Sequence, residues 1–269
     1  MTDKYAVIGN PIAHSKSPQI HNMFAEQTGQ DISYEAILAP LDGFAETVER
    51  LRKEGYKGCS VTVPFKFEAF QLATQLSKRA QSAQAVNTLT FDGTAIIGEN
   101  TDGAGLINDL KNNLHYNFIK NNILLLGAGG AAYGVARPLL QTACQTLSIS
   151  NRTIKKAEQL VSSLIHEFNN IDIYYFPTDK RQFDLVINAT SSGLREELPI
   201  LPPYVFTSNA FAYDLMYGRE TPFMKFARAQ GAQVADGLGM LVEQAAEAFF
   251  IWRGVRPETA PVIATLGRH

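Results

Sequence analysis

Short apolar runs alternate with longer amphipathic stretches along this chain, and that alternation predicts its elements. Tyr5–Gly9, Ser33–Leu38 and Gly58–Val63 are compact runs rich in β-branched and aromatic residues and read as strands. Between them, Pro18–Gln27 and Gly43–Glu54 carry apolar residues at helical spacing. Ser17-Pro18 opens the first of these helices, with a hydroxyl placed to cap and a proline suited to the first helical position. Gly29 and Gly55 stand where the two helices should stop. A second alternating block begins near residue 121. Asn122–Leu126 reads as a buried strand, followed by a glycine-rich turn and a helix through about Gln141. Thr146–Ser150, Ile171–Phe176, Leu185–Ala189 and Ala210–Asp214 read as further strands, and Lys155–Phe168 as a helix. Gly239–Gly254 is a long apolar helix and Pro261–Leu266 a short one. Repeated β-α-β order implies mostly parallel sheets covered by helices on both faces, hence an α/β protein of two α/β domains joined near residues 100–120.

Composition narrows the function classes. Of 269 residues, 45% are apolar and 19% charged, a globular balance that argues against disorder. Lys plus Arg number 24 against 26 Asp plus Glu, a net charge of -2, so no basic excess is present to coat nucleic acid. No apolar run approaches the roughly 18 residues of a membrane span, so no membrane partner is expected. The opening Tyr5-Ala6-Val7-Ile8-Gly9 reads as a first strand rather than a signal peptide. Cys59 and Cys144 are the only cysteines, far apart, and the five histidines show no metal-ligand spacing. These features predict a cytoplasmic protein without a metal.

The candidate chemistry falls into two groups. Leu124-Leu125-Leu126-Gly127-Ala128-Gly129-Gly130-Ala131-Ala132 places G-x-G-x-x-A directly after a strand and at the opening of a helix, the dinucleotide-binding arrangement. Free N–H groups and the dipole at such a helix start attract a pyrophosphate. The next strand ends not in a carboxylate for ribose hydroxyls but in Asn151-Arg152-Thr153, with Lys155 and Lys156 behind. A guanidinium there suits a 2′-phosphate, so NADP is expected over NAD. Asn188-Ala189-Thr190-Ser191 and Asp214-Leu215-Met216-Tyr217 end later strands on the side where ligands bind in an open parallel sheet; each reads equally as an ordinary turn.

The other group lies in the N-terminal block. The hydroxyls of His14-Ser15-Lys16-Ser17-Pro18, at a helix start, could hold a carboxylate, and Ser17 could equally be only a cap. In Ser60-Val61-Thr62-Val63-Pro64-Phe65-Lys66, a lysine at a helix start is disfavoured by the dipole and asks for another reason. Ala85-Val86-Asn87-Thr88 and Glu99-Asn100-Thr101-Asp102-Gly103 add an amide and a carboxylate. A Lys–Asp pair at a ketone would supply the proton that its reduction by hydride requires. Spacing alone does not bring Lys66 and Asp102 together, and a structural turn or surface ion pair explains either residue equally well.

In combination these segments, with Asn10-Pro11-Ile12, Asn87-Thr88-Leu89 and Asp236-Gly237-Leu238-Gly239-Met240-Leu241, resemble the NADP-dependent, biosynthetic shikimate dehydrogenases over nearly the whole chain. The resemblance implies reversible, NADPH-dependent reduction of 3-dehydroshikimate to shikimate. It implies a substrate domain of residues 1–103 plus 240–269, a Rossmann-type NADP domain of residues 104–239, and a cleft between them. Position by position it places Ser15 and Ser17 on the substrate carboxylate with Tyr217 nearby. Thr62, Lys66, Asn87, Asp102 and Gln244 fall on the ring hydroxyls and reacting oxygen, with Lys66 and Asp102 as the catalytic pair. On the cofactor side it implies Gly127, Ala128, Gly129, Gly130 and Ala131 at the pyrophosphate. Asn151, Arg152, Thr153 and Lys156 fall at the adenosine phosphate, Thr190 on the cofactor, and Leu215 and Gly237 at the nicotinamide pocket. Lys78 stands where relatives often carry Glu, so no role is carried onto it. No nucleic-acid partner is implied, and a monomer or homodimer is expected. Two other readings stay open here: a quinate/shikimate dehydrogenase preferring NAD, which should carry an acidic residue near Arg152, and a non-catalytic dinucleotide sensor, which should lack Lys66 or Asp102.

Overall fold

The structure is a computed structural model and describes residues 2–267; Met1, Arg268 and His269, which the expected substrate domain includes, lie outside the described residues. The chain forms two compact units, one running up to Asp109 and resuming at Met240, the other spanning Leu110–Gly239.

The first unit begins β1 (Asp3–Gly9), α1 (Ser17–Thr28), β2 (Ile32–Leu38), α2 (Phe44–Lys53), β3 (Tyr56–Val61) and α3 (Lys66–Leu72). It continues β4 (Gln75–Leu76), α4 (Lys78–Ala83), β5 (Thr88–Asp92), β6 (Ala95–Glu99) and α5 (Asp102–Asn108), which a π-helical turn at Asp109–Asn113 follows. Its six strands lie in the order β2-β1-β3-β5-β6-β4. β1 runs parallel to β2 and β3, whereas β5 is antiparallel to both its neighbours. The alternation had not indicated β5 and β6, a hairpin closed around Gly93-Thr94 with Asp92 opposite Ala95.

Burial on both faces explains the uninterrupted apolar run of β1. Ala6 and Ile8 face a core with Phe44, Val48, Leu51, Phe65 and Leu89. Tyr5 and Val7 face the other way, with Ile12, Tyr34 and Trp252. Ser17 corrects the expectation of a cap: Lys16 holds the cap position, and Ser17 is the first helical residue, with no side-chain cap bond at that end. Ser17-Pro18 still starts the helix, because proline fits the first turn.

The second unit contains β7 (Asn122–Leu126), α6 (Gly130–Leu140), β8 (Thr146–Ser150), α7 (Ile154–Leu164), β9 (Ile171–Ile173) and β10 (Phe183–Asn188). A 3₁₀ turn (Ser192–Arg195), β11 (Phe206–Asp214), α8 (Pro222–Ala229) and β12 (Gln233–Ala235) complete it. The long helix α9 (Leu238–Arg253) and α10 (Ala260–Leu266) close the chain, and from Met240 they belong to the first unit. The second sheet has the order β12-β11-β10-β7-β8-β9, with every pairing parallel. From β7 the chain adds β8 and β9 on one side, then returns to add β10, β11 and β12 on the other. The strand order therefore reverses between β7 and β10, and in such sheets ligands bind beyond the carboxyl ends of the strands at that point. β9 stops at Ile173 rather than Phe176, and α7 at Leu164 rather than Phe168; α8 had not been indicated. Both cysteines are buried and free.

Candidate active site

Four of the polar residues singled out in the N-terminal block and the last long helix meet in one hydrogen-bonded cluster of the first unit. Lys66 opens α3 and Asp102 opens α5, and Lys66 Nζ lies 2.5 Å from Asp102 Oδ2. Their side chains retain only 14% and 5% exposure, so this ion pair is largely withdrawn from water. Each buried charge must then be fully partnered. The other Asp102 oxygen accepts from Asn87 Nδ2 at 2.9 Å, and the Asp102 N–H donates to Asn100 Oδ1 at 3.0 Å.

Asn87 is the hub. Its backbone is held on two sides, donating to Glu99 O at 3.1 Å and accepting from Val61 N at 2.7 Å. Its Nδ2 also reaches Thr101 Oγ1 at 2.9 Å and Gln244 Oε1 at 3.3 Å, while its Oδ1 accepts from Thr101 N at 2.8 Å and Thr88 Oγ1 at 3.0 Å. Gln244 arrives from α9. It can do so because Gly105 of α5 lets the helices touch: a Cβ there would stand 2.7 Å from Gln244 Cβ and 2.8 Å from Met240 O. Gln244 Nε2 also bonds within its own helix, to Leu241 O at 2.7 Å, so its local and its long-range contacts coexist.

Ser15, Ser17 and Thr62 are not bonded into this cluster. Ser15 Oγ accepts the Ser17 N–H at 3.3 Å, and Thr62 lies between β3 and α3, held by its N–H to Ile8 O at 2.9 Å. Tyr217 belongs to the second unit, just past β11. Thr101 was not singled out on its own, yet it is wholly buried at the centre of the cluster. The signal was its place between Asn100 and Asp102, two residues of the quoted motif.

In the second unit, the turn from β7 to α6 has the form its glycines require. Gly127 has φ 109° and donates to Ser150 O at 2.7 Å, a conformation that any side chain would strain. Ala128 is buried. Gly129 caps α6 without a side chain, and a Cβ built on it would meet nothing within 4 Å. The helix start at Gly130 and Ala131 is thus open toward a ligand, with backbone N–H groups that no helical carbonyl can pair. Past β8, Asn151 Nδ2 bonds Thr153 O at 2.9 Å and shapes the turn. Arg152 is exposed and makes no ion pair among the described residues. Lys156 is exposed in the first turn of α7, and residues 150–157 include no carboxylate. An open glycine cradle beside an unpaired guanidinium fits a dinucleotide carrying a 2′-phosphate.

The ends of β10 and β11 carry a second buried polar network. Thr190 donates through N and Oγ1 to Asn188 Oδ1, at 3.1 and 2.7 Å. Asn188 Nδ2 in turn reaches Asp214 Oδ2 at 3.2 Å. Leu215 N bonds Asn188 O at 3.0 Å, and Gly237 N bonds Met216 O at 2.8 Å. Burial lifts the Asp214 carboxyl above the usual carboxylate range, against the lowering effect of donors from Thr221, Met216 and Asn188. Among the described residues no His, Cys, Asp or Glu cluster could hold a metal, and no helix is long and apolar enough to cross a membrane.

Comparison with known proteins gives a consistent result. The family described as shikimate dehydrogenase substrate binding domain matches residues 7–89, that described as shikimate / quinate 5-dehydrogenase residues 109–197, and that described as shikimate 5'-dehydrogenase C-terminal domain residues 237–266. A Methylobacillus flagellatus protein named Shikimate dehydrogenase (NADP(+)) is 56% identical over 266 residues, covering 98% of each chain. The crystal structure of an Ael1 enzyme from Pseudomonas putida superposes with TM-score 0.90 at 48% identity, covering 98% of each chain. A shikimate 5-dehydrogenase from Thermus thermophilus, solved in complex with NADP(H) and shikimate, superposes with TM-score 0.87 at 32% identity over 99% of each chain.

Proposed function

The chain belongs to the shikimate dehydrogenase family, and from that premise we propose how its residues divide the reaction between them. The activity is the reversible reduction of 3-dehydroshikimate to shikimate with NADP as the cofactor. The observation that carries the division of roles is the buried Lys66–Asp102 pair at 2.5 Å.

Bound NADPH supplies a hydride to the ketone carbon, so the ketone oxygen must gain a proton as its charge develops. Lys66 donates that proton from its ammonium group, and in the oxidation of shikimate its amine takes it back. Asp102 holds the Lys66 side chain in place through a charge-assisted bond and accepts from a ring hydroxyl. Asn87, Gln244 and Thr62 hold the remaining ring hydroxyls, and the bonds of Asn87 to Asp102 and Gln244 set their geometry before the substrate arrives. Ser15 and Ser17 bind the carboxylate. Ser17 is not the helix cap, a position that Lys16 holds, which supports that use. The first unit is then the substrate domain and the second the NADP domain. In the second, Gly127, Ala128, Gly129, Gly130 and Ala131 hold the pyrophosphate, and Asn151, Arg152, Thr153 and Lys156 the 2′-phosphate. Thr190, Leu215 and Gly237 lie toward the nicotinamide.

Steady-state kinetics of Lys66→Ala test this division. Loss of a general acid should lower kcat by about 10²–10⁴-fold, with the KM for shikimate changed only a few-fold. A folded Lys66→Ala enzyme with near-native kcat would remove Lys66 from the proton transfer.

A further inference from the structure

We propose that Asp214 is a positioning residue for the nicotinamide end of the cofactor site, its carboxylate fixing the strand-end segments that carry Thr190, Leu215 and Gly237. The inference rests on the reading that those three residues lie toward the nicotinamide.

Asp214 ends β11 and is wholly buried, and no Lys or Arg pairs with it among the described residues. A buried carboxylate without a cation is costly, so an ordinary strand end would carry an apolar or neutral residue instead. What Asp214 has are three neutral donors from three segments. Asn188 Nδ2 reaches Oδ2 at 3.2 Å, the Thr221 hydroxyl reaches the same oxygen at 2.5 Å, and the Met216 N–H reaches Oδ1 at 3.0 Å.

Each donor carries the constraint onward. Asn188 has its amide nitrogen occupied by Asp214, so its Oδ1 is turned to receive both the N–H and the hydroxyl of Thr190. The Asn188 carbonyl takes the Leu215 N–H, and the Met216 carbonyl takes the Gly237 N–H. Thr221, while donating to Asp214, accepts from Met224 N at 3.3 Å and so caps α8. One carboxylate thus ties the ends of β10 and β11, the start of α8 and the segment after β12 into one frame. Only an acceptor with two oxygens can do this. An asparagine offers one carbonyl oxygen, and its amide would face the amide of Asn188 or the N–H of Met216.

The test compares Asp214→Asn and Asp214→Ala with the unaltered enzyme, using two titrants: NADP, and adenosine 2′,5′-bisphosphate, which has the 2′-phosphate but no nicotinamide. In Asp214→Asn, kcat for shikimate oxidation should fall at least about tenfold, because a small misplacement of the reacting groups costs that much or more in rate. NADP should bind more weakly. The affinity for the bisphosphate, held on the far strands, should stay within about twofold, as for independent sites. Asp214→Ala should show the same pattern more strongly; where it does not fold, Asp214→Asn carries the test. Native kcat and NADP affinity in Asp214→Asn would overturn the proposal. So would parallel weakening of NADP and bisphosphate, which would mean general loosening of the unit. An unaltered enzyme that fails to bind the bisphosphate at all would instead overturn the underlying cofactor assignment.

Discussion

Replacing Arg152 with alanine isolates one charge and one phosphate. Arg152 is exposed on the turn after β8 and has no acidic partner among the described residues, so its removal breaks no ion pair and leaves no buried charge behind. The loss is then the interaction with the 2′-phosphate alone. Two unit charges in contact are worth about 1 kcal/mol in a water-like medium and about 4 kcal/mol at an effective dielectric near 20. A hydrogen bond to a charged group contributes about 1.5–3 kcal/mol. Because the guanidinium is solvated, the lower part of that range applies, about 1.5–2 kcal/mol, or about 10–30-fold in NADP affinity. NAD has no 2′-phosphate and should be bound as before. The assay is the KM and Kd for NADP and NAD in the native and Arg152→Ala enzymes, at low and at raised ionic strength. The NADP-specific loss should shrink with salt, since screening acts within about 10 Å at 0.1 M. An equal loss for both dinucleotides would refute the reasoning, because it would place Arg152 on the structure of the turn rather than on the phosphate.

Other predictions concern stability and the geometry of the substrate cluster. His21 is fully buried against Tyr34, with ring centroids 4.0 Å apart and neither nitrogen partnered, and burial lowers its pKa from 6.5 to about 3. Between those values the unfolded chain binds a proton that the folded one refuses, so stability is fully present above pH 6.5 and falls as the pH drops below it. The loss from this group should reach about 2 kcal/mol at pH 5. Urea unfolding of His21→Phe should show that part of the acid slope removed, and an unchanged slope would contradict it. Gly105→Ala forces a methyl against the backbone of α9, 2.8 Å from Met240 O. It should destabilise the protein by about 1–3 kcal/mol and raise the KM for shikimate by displacing Gln244; thermal unfolding and kinetics on the same preparation check both.

Much of this was legible in the chain because it rests on local signals. The apolar run of β7, the glycines after it and the basic turn after β8 are all contiguous, and each needs only its neighbours to be read. Relations across the chain were not legible in spacing or periodicity. Lys66 and Asp102 are 36 residues apart, and the segment between them contains the β5–β6 hairpin. Gly93, at the first position of the Gly93-Thr94 turn with φ 57°, is a hairpin signal that the surrounding β-α-β rhythm masks by favouring parallel strands. Ser17 looked like a cap because a hydroxyl before proline is the common pattern; the helix begins one residue earlier than that pattern assumes. Thr101 and Asp214 were hidden for a different reason. Their roles lie in which distant donors and acceptors they bring together, and no periodicity in the chain encodes a buried polar network.

The most direct test of the account is the absorbance of reduced nicotinamide in four mixtures, shikimate or quinate with NADP or NAD, using the purified enzyme. Strong activity confined to shikimate with NADP is the expected result, and it joins the Lys66–Asp102 cluster and the Arg152 turn in one reaction. Comparable rates with NAD would contradict the reading of Asn151-Arg152-Thr153, comparable rates with quinate would contradict the substrate assignment, and no rate in any mixture would contradict the catalytic role of the cluster itself.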